Sequence, residues 1–236
     1  MKQIAIGNTA EVYDYQEGKI LKLFKSGYLV DDIHREFNNS ALVNKFGIPS
    51  PKAYEILPNV MDGRTGIVYE KIDGQDLLQE VMGNIQNQEY VLQRIESLAS
   101  IHKDFINHTS TDCISYKDYL NFFGYPNTAS LPDGDFLCHG DFHFANLLRS
   151  QQNPEKICVI DFMNLCHGPK EYDVARAYVL LTEDVFGPDI APEIRKMLMQ
   201  AKQLSGQIYL NKMGYSLKDI EQFIPAVEFC RKKEML

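Results

Sequence analysis

The chain has 236 residues, a length typical of one large domain or of two closely joined domains. Its composition is 44% hydrophobic and 24% charged, which is ordinary for a globular protein and excludes disordered, collagen-like and coiled-coil chains. The 24 basic and 32 acidic residues give a net charge of −8. This charge disfavours a general nucleic-acid-binding protein, because phosphate contacts require clustered Lys and Arg.

The first 72 residues have the pattern of a sheet with one helix. Turn signals at Gly7-Asn8 and Glu17-Gly18 separate short runs that are apolar or rich in β-prone residues. We therefore predict an N-terminal lobe over residues 1–72. Its predicted strands lie at 4–6, 11–15, 19–24, 53–58 and 66–72.

One helix is predicted between the third and fourth of these strands. Ile33 and Phe37 are four residues apart, as on the buried face of an amphipathic helix. Asp31 or Asp32 is the predicted N-terminal cap, and Gly47 is the predicted end.

Beyond residue 72 the pattern becomes mainly helical, with Gly74 as the predicted hinge. Gln88–Phe105 has a clear amphipathic period, whereas residues 106–135 are rich in loop-forming residues. Two apolar segments, FLCHGDF with NLL and ICVIDF, are joined by the polar turn RSQQNPEK and predict a β-hairpin.

The tail completes the predicted C-terminal lobe, residues 73–236. It predicts helices that are interrupted near Gly187-Pro188 and Gly214. The fold class expected from the whole pattern is α+β, with a small antiparallel-sheet lobe and a mainly helical lobe.

The cysteines and the N-terminus indicate the cellular compartment that is expected for the protein. The five cysteines are widely spaced and contain no CxxC motif, which favours reduced thiols in the cytoplasm over disulfides or a zinc knuckle. The N-terminus has too short an apolar stretch for a signal peptide, and no run approaches the roughly 18 apolar residues of a membrane-spanning helix. We therefore predict a cytoplasmic protein without a membrane partner.

The densest cluster of polar residues lies at 139–146 and is followed by Asp161. Phosphoryl transfer requires a carboxylate that accepts a hydroxyl proton, together with oxygen ligands for Mg²⁺. Asp141 and Asn146 are five residues apart on one tight loop, and the predicted hairpin returns Asp161 beside that loop. A D-x4-N pattern alone is more often a turn cap and a strand start, but the upstream His-Gly and the VIDF ending favour function.

The segments HGDFHFANLL and VIDFMNLCHGPKEYDVAR resemble the aminoglycoside phosphotransferase and choline kinase-like family of small-molecule kinases. The resemblance covers nearly the whole chain in the expected order and implies a two-lobed fold like that of protein kinases. It implies Asp141 as the catalytic base, Asn146 and Asp161 as Mg²⁺ ligands, and Asp173 as a structural residue.

A phosphate-anchoring lysine is expected on a strand of the N-terminal lobe. Lys22 is the only charged residue in the apolar run Ile20–Phe24, and a buried lysine requires a carboxylate partner. Glu36 lies on the same helical face as Ile33 and Phe37, so we pair it with Lys22, as the resemblance also implies. The alternative is a solvated lysine at a strand edge and a glutamate on a helix surface.

The nucleotide loop gives a weaker signal. Gly7, Asn8 and Thr9 offer a turn between two strands whose backbone N–H groups would cover phosphates, although the same residues fit an ordinary hairpin. Glu70 and Ile72 lie in the segment that the family uses to present backbone groups to the base. The departure from a full GxGxxG leaves ATP or GTP as the co-substrate.

The histidines allow a different interpretation. His139 and His143, four residues apart, are conceivable zinc ligands, but such pairs require a helix, and a loop is expected here. We instead expect His139 to brace the loop through the backbone. His102, on the apolar face of its helix, is expected to be a hydrogen-bonded core histidine.

Only eleven residues separate Asp161 from Asp173, too few for the activation segment of a protein kinase. The acceptor is therefore expected to be a hydroxyl of a small molecule. Glu171, Glu183 and Asp184 are candidates to line its site and would suit a cationic acceptor, or they are solvated helix charges.

The predicted function is a Mg²⁺-dependent kinase that transfers the γ-phosphate of ATP or GTP to that hydroxyl. The main alternative is a nucleotide-binding pseudokinase that acts through a protein partner. A third hypothesis, a metal-dependent hydrolase built on the histidines, requires a tightly bound transition metal.

Overall fold

The computed structural model describes residues 1–187 and 189–234, which form two compact units. One unit contains Met1–Leu77 and Ala145–Asn164, and the other contains Leu78–Phe144 and the chain from Leu165 onward. Both kinds of structure predicted for an α+β fold are present, an antiparallel sheet in the first unit and mainly helices in the second. The first unit extends a few residues beyond the predicted lobe 1–72 and includes the hairpin at 145–164.

The elements take the following bounds within the described residues. The strands are β1 Gln3–Ile6, β2 Ala10–Gln16, β3 Lys19–Phe24, β4 Ala53–Met61, β5 Arg64–Glu70, β6 Gly74–Asp76, β7 Phe136–Cys138, β8 Leu147–Ser150, β9 Ile157–Val159 and β10 Cys166–Gly168. The helices are α1 Val30–Lys45, α2 Leu77–Gly83, α3 Gln88–Phe105, α4 Tyr116–Phe122, α5 Lys170–Thr182, α6 Pro192–Met213, α7 Leu217–Ile220 and α8 Ile224–Glu234.

The first unit contains a five-stranded antiparallel sheet in the order β1-β2-β3-β5-β4. Side chains alternate between the two faces of a strand, so Leu21 and Leu23 point to one side of β3. Lys22 and Phe24 point to the other side, where Phe24 packs with Ile33 of α1 in a buried cluster. This alternation directs Lys22 toward the helix. The five strands predicted for this region are confirmed.

Helix α1 begins and ends differently from its prediction. Leu29 occupies the N-cap position without a side-chain cap, so the prediction that Asp31 or Asp32 caps the helix is wrong. Both aspartates lie in the first turn, where their negative charge interacts favourably with the helix dipole. Phe46 is the C-cap, and Gly47 follows with a φ of 70°, as expected for a glycine at a helix end.

The predicted hairpin is present as β8 and β9, which pair antiparallel and extend to β6 as a third strand. Gly74 therefore lies in a strand, not in an open hinge. A Cβ atom at Gly74 would lie 2.1 Å from the carbonyl oxygen of Arg149, so only glycine fits this close approach between strands.

The second unit is built on α6, which packs against both α3 and α5. The predicted helix Gln88–Phe105 is confirmed at both ends. Helix α4 lies within 106–135, where the sequence predicted loop. The helix was missed because about two turns are too short for a periodic signal.

The helices of the tail end largely where the glycines predicted. Helix α6 stops at Gly214, whose φ of 86° is left-handed. The other predicted interruption falls at Gly187-Pro188, and Pro188 lies outside the described residues. Within the described part of the chain, no helix combines the length and the apolar character needed to cross a membrane.

Candidate active site

Lys22 forms the centre of a charged cluster in the first unit. Its Nζ donates to Glu36 Oε1 at 2.6 Å and to Asp161 Oδ1 at 3.1 Å. The side chain of Lys22 is 13% exposed and that of Glu36 is 1% exposed, so the Lys22–Glu36 pair is well shielded from water. The pairing expected from the sequence is thus formed, and Asp161 joins it.

Neighbouring groups fix Glu36 on α1. Tyr69 of β5 donates its hydroxyl to Glu36 Oε1 at 3.0 Å, and Ser40 lies 3.1 Å from the same hydroxyl. Glu36 Oε2 is buried and makes no hydrogen bond within the described residues. Burial raises the pKa of Glu36, and the charge of Lys22 opposes that rise.

The electrostatics keep Lys22 protonated. Burial alone would lower the pKa of Lys22, but the negative charges of Asp161 and Glu36 outweigh burial and raise that pKa above its usual range. Lys22 is therefore a fixed positive charge at neutral pH.

Asp161 follows β9 in an uncommon backbone conformation. Its φ is 67°, a left-handed value that is unusual for a residue other than glycine and that concentrates at functional sites. Asn39 of α1 donates its side-chain amide to the carbonyl of Phe162 at 2.8 Å, which anchors the chain just after Asp161. The Asp161 side chain remains 36% exposed.

Asn146 is brought close to Asp161 by the backbone. It ends a 3₁₀ turn at Phe144–Asn146, and its carbonyl accepts the N–H of Ile160 at 3.0 Å. Ile160 directly precedes Asp161 in the chain. The two predicted metal ligands thus flank adjacent strands of one small sheet, Asn146 directly before β8 and Asp161 just after β9.

These two residues fit Mg²⁺ by their donor chemistry. Mg²⁺ prefers hard oxygen ligands and is usually held by one or two protein groups together with phosphates. Asp161 and Asn146 supply a carboxylate and an amide oxygen. Across the residues that the structure describes, no group of three or more His, Cys, Asp or Glu forms a complete protein metal centre.

The loop that carries Asp141 lies in the second unit and is held by Asp173 of α5. Asp173 is completely buried and accepts the backbone N–H groups of His139 at 2.7 Å and Gly140 at 2.8 Å. Burial would raise the pKa of Asp173, but the hydrogen bond and charge of His102 prevail, so the pKa is lowered. Asp173 thus braces the loop as a buried anion.

The two histidines behind the loop have structural contacts. His139 Nδ1 accepts the N–H of Asp141 at 3.2 Å, a bond to the backbone of the kind expected for this residue. His102 is buried between Asp173, 2.9 Å from Nε2, and the Tyr209 hydroxyl, 2.6 Å from Nδ1.

Asp141 has a distinctive electrostatic environment. His143 Nε2 lies 3.3 Å from Asp141 Oδ2. Burial favours the protonated form of Asp141, but the hydrogen bond and charge of His143 and the charge of Arg176 outweigh burial and lower the pKa of Asp141 below its ordinary value. Asp141 is therefore ionised throughout the neutral range, as a proton acceptor requires.

The predicted nucleotide loop is the turn between β1 and β2. Gly7 donates its N–H to the carbonyl of Ala10 at 2.8 Å, and the carbonyl of Thr9 accepts the N–H of Lys25 at 3.0 Å. Gly7 and Asn8 are exposed. Their part in phosphate binding stays a prediction.

The segment Glu70–Ile72 at the end of β5 is the predicted contact to the base, and two of its three backbone N–H groups already donate hydrogen bonds. The N–H of Glu70 donates to the carbonyl of Lys52 at 2.8 Å, and that of Lys71 donates to Gly18 at 2.9 Å. The N–H of Ile72 makes no hydrogen bond within the described residues. The part of Glu70 and Ile72 in binding the base stays a prediction.

Two of the three acidic residues suggested for the acceptor are already paired. Glu183 accepts from Arg231 at 2.7 Å, and Asp184 accepts from Arg195 at 2.8 Å. Their negative charges are balanced by these guanidinium groups, which weakens the argument that they attract a cationic acceptor.

Three residues that contact the predicted site residues or their loop were not identified from the sequence. Tyr69 supports Glu36, His143 contacts Asp141, and Arg176 donates to the carbonyl of Gly140 from α5. The last two had detectable signals. His143 lies two residues after Asp141, and Arg176 lies three residues after Asp173 on the same helical face.

A buried lysine–glutamate pair on a small antiparallel sheet and a braced loop with an ionised aspartate are the features that the resemblance to small-molecule kinases implies. Residues 128–210, which contain the loop, match the phosphotransferase enzyme family (APH). This match confirms the resemblance to aminoglycoside phosphotransferases. No curated protein sequence matches the chain significantly.

Solved structures share the fold over most of their length. An aminoglycoside 3'-phosphotransferase of type VIII has a TM-score of 0.60 at 16% identity, covering 97% of this chain and 91% of its own. The aminoglycoside phosphotransferase APH(3'')-Id from Streptomyces rimosus, in complex with ADP and streptomycin, has a TM-score of 0.59 at 14% identity, covering 93% and 89%. The GDP complex of an aminoglycoside 2'-phosphotransferase IIIa mutant has a TM-score of 0.53 at 15% identity, covering 99% and 91%.

Proposed function

We propose that the chain transfers the γ-phosphate of ATP or GTP to a hydroxyl of a small molecule in the presence of Mg²⁺. In this proposal Lys22, oriented by Glu36, binds the α- and β-phosphates. Asn146 and Asp161 hold the metal, and Asp141 accepts the hydroxyl proton. The turn at Gly7, Asn8 and Thr9 and the segment from Glu70 to Ile72 bind the nucleotide.

The observation that carries the proposal is the Lys22–Glu36–Asp161 cluster. A lysine whose pKa is raised by two carboxylates remains cationic and can attract phosphate. Glu36 is enclosed and fixes the lysine, whereas Asp161 is partly exposed and therefore accessible to a metal ion. Bound Mg²⁺ would neutralise the charge that develops on the phosphate oxygens.

The remaining chemistry requires orientation more than reactivity. Phosphoryl transfer passes through a loose transition state, so catalysis depends on positioning and on charge stabilisation. Asp141 is ionised and sits in a loop whose backbone is fixed by Asp173 and His139. An acceptor hydroxyl that donates to Asp141 would be held in one orientation and would lose its proton to that carboxylate.

The nucleotide and the acceptor are the open choices within this proposal. Two similar structures contain ADP and GDP, respectively, so both nucleotides are candidates. The presence of streptomycin in one of them makes an aminoglycoside hydroxyl a reasonable first acceptor. The pairing of Glu183 and Asp184 with arginines makes neutral alcohols equally worth testing.

The proposal is tested by an acceptor screen with γ-labelled ATP and GTP. Streptomycin and hygromycin B represent cationic acceptors, and homoserine and choline represent small metabolites. We expect a Mg²⁺-dependent phosphorylated product with one class, formed at least about a hundredfold more slowly by the Asp141→Asn variant. The variant Asp112→Asn, which alters an exposed aspartate elsewhere, serves as the matched control and should retain the activity. Full turnover in Asp141→Asn would contradict the assigned base.

A further inference from the structure

Two side chains of α5 hold the residue that precedes Asp141. Asp173 Oδ1 accepts the N–H of Gly140 at 2.8 Å, and Arg176 Nε donates to the carbonyl of Gly140. Residues three apart on a helix lie on the same face, so one turn of α5 binds both polar backbone groups of Gly140. Asp173 was expected to be structural, whereas no role was expected for Arg176.

The contact made by Arg176 bears directly on the direction of the Asp141 side chain. The carbonyl of Gly140 and the N–H of Asp141 belong to one planar peptide unit. Arg176 binds the oxygen of this unit, and His139 Nδ1 accepts its N–H at 3.2 Å. Gly140 has a φ of 77°, so the chain turns sharply here, and the orientation of this peptide plane determines where the Cα–Cβ bond of Asp141 points.

Arg176 is itself fixed by groups from two other helices. Its Nη2 donates to Glu234 Oε1 of α8 at 2.9 Å, and its guanidinium lies 5.4 Å from the centre of the Tyr119 ring of α4. The Tyr119 hydroxyl donates to the same Glu234 oxygen at 2.6 Å. Arg176 therefore has little freedom to move away from the loop.

Burial of the Arg176 guanidinium carries a cost in desolvation free energy. Arg176 is completely buried, and its Nη1 makes no hydrogen bond within the described residues. Apolar side chains of similar volume often replace a buried ion pair without loss of stability. Stability alone is therefore a poor reason for an arginine here, whereas the orientation of the Gly140–Asp141 peptide is something that only a hydrogen-bond donor supplies.

We propose that Arg176 is a positioning residue for Asp141, with Glu234 as the counter-ion that orients Arg176. This inference rests on the proposed function, because it assigns Arg176 to the base of that reaction. Arg176 acts through the backbone of the loop and does not contact the reacting groups.

The matched pair of variants is Arg176→Lys and Arg231→Lys. Arg231 also pairs with Glu234, at 2.8 Å, and with Glu183, but it donates to no atom of the loop. Lysine has one compact ammonium group and cannot donate to Gly140 and Glu234 with the geometry of a guanidinium. We expect Arg176→Lys to lower kcat at least about tenfold, with the Kd for Mg-ATP within about twofold of wild type, and we expect Arg231→Lys to leave both unchanged.

Conservative substitution of Glu234 provides a rescue. Glu234→Gln keeps an oxygen that accepts from both Tyr119 and Arg176, whereas Glu234→Ala removes it. We expect kcat to fall about tenfold in Glu234→Ala and to stay within about threefold of wild type in Glu234→Gln. Equal losses in the two variants would indicate a merely structural contact and would overturn the inference.

A readout without substrate separates this inference from the proposed function. Hydrogen exchange measured by mass spectrometry on the peptide 136–144 should be at least about tenfold faster in Arg176→Lys and unchanged in Arg231→Lys. Glu234→Ala replaces Arg176→Lys if that variant does not melt cooperatively. Unchanged exchange in the variant that folds overturns the inference. Altered exchange in a protein that transfers no phosphate would leave the loop contact intact and would refute the proposed function instead.

Discussion

Around Lys22 the contacts are made between side chains, whereas the contacts that hold the loop before Asp141 are made to the backbone. The Lys22 cluster contains three titratable side chains, one of them partly exposed, and a buried carboxyl oxygen without a hydrogen bond within the described residues. The loop before Asp141 is held by Asp173 and His139 through its own N–H groups. The first region is suited to bind charged ligands, and the second is suited to hold one side chain still.

This difference predicts that substitutions in the two regions impair different steps of the proposed reaction. Substitutions around Lys22 should weaken nucleotide binding and its dependence on Mg²⁺. Substitutions around Asp141 should slow turnover and leave nucleotide binding intact, because the two functions use different residues.

The largest effect is expected for Asp141→Asn. Loss of the proton acceptor should reduce kcat by roughly 10²–10⁴. The Kd for Mg-ATP should stay within about twofold, since Asp141 is not among the proposed nucleotide ligands. Steady-state kinetics and equilibrium binding on the same preparation would check this split. A large loss of nucleotide affinity in Asp141→Asn would contradict the prediction that the region around Asp141 does not contribute to nucleotide binding.

Lys22→Met should have the next largest effect. The change keeps much of the side-chain volume but removes the cation that pairs with Glu36 and Asp161. Charge-assisted hydrogen bonds to phosphate contribute about 2 kcal/mol, so the Kd for Mg-ATP should rise at least about tenfold. Isothermal titration calorimetry would measure it. The matched control is Lys19→Met on the same strand, which removes a lysine outside the cluster and should leave the Kd unchanged.

The smallest effect is a change in pH dependence on replacement of His143. His143 contributes to the lowered pKa of Asp141, so His143→Gln should raise that pKa toward its ordinary value. A lowered pKa gives stability that is present above the unfolded value, near 3.9, and is lost as the pH falls through the native value. In the variant the contribution of Asp141 to stability should be smaller, because its native pKa lies closer to the unfolded value. Carboxyl ¹³C NMR, with Asp141→Asn for assignment, would measure the titration, and an unchanged pKa would show that other groups dominate.

The sequence predicted most of the first unit because its signals are local. Strand alternation and turns placed β1 to β5, and the isolated charge in an apolar strand identified Lys22. The same logic identified Glu36, because a glutamate on an apolar helix face requires a partner. The predicted N-cap of α1 was wrong because acidic residues give the same sequence signal in a first turn as at a cap.

The second unit was less predictable because its important contacts are distant in sequence. Arg176 lies 36 residues from Gly140 and 58 from Glu234. Its position three residues after Asp173 indicates the helical face but not these partners. Gly74 was misinterpreted for a related reason. A glycine required by the close approach of Arg149 has the same sequence signature as one in a hinge.

The most direct test of the central claim is the melting temperature of wild type and Asp161→Asn, with and without Mg-ATP and Mg-GTP. At about 100 times its Kd, a nucleotide that binds only the folded protein adds roughly 2.7 kcal/mol, or about 5–11 °C for a chain of this size. We expect such a shift in wild type, its loss with EDTA, and its loss in Asp161→Asn. A cooperatively melting wild type with no shift from either nucleotide would contradict the assignment of the Lys22 cluster as a nucleotide site.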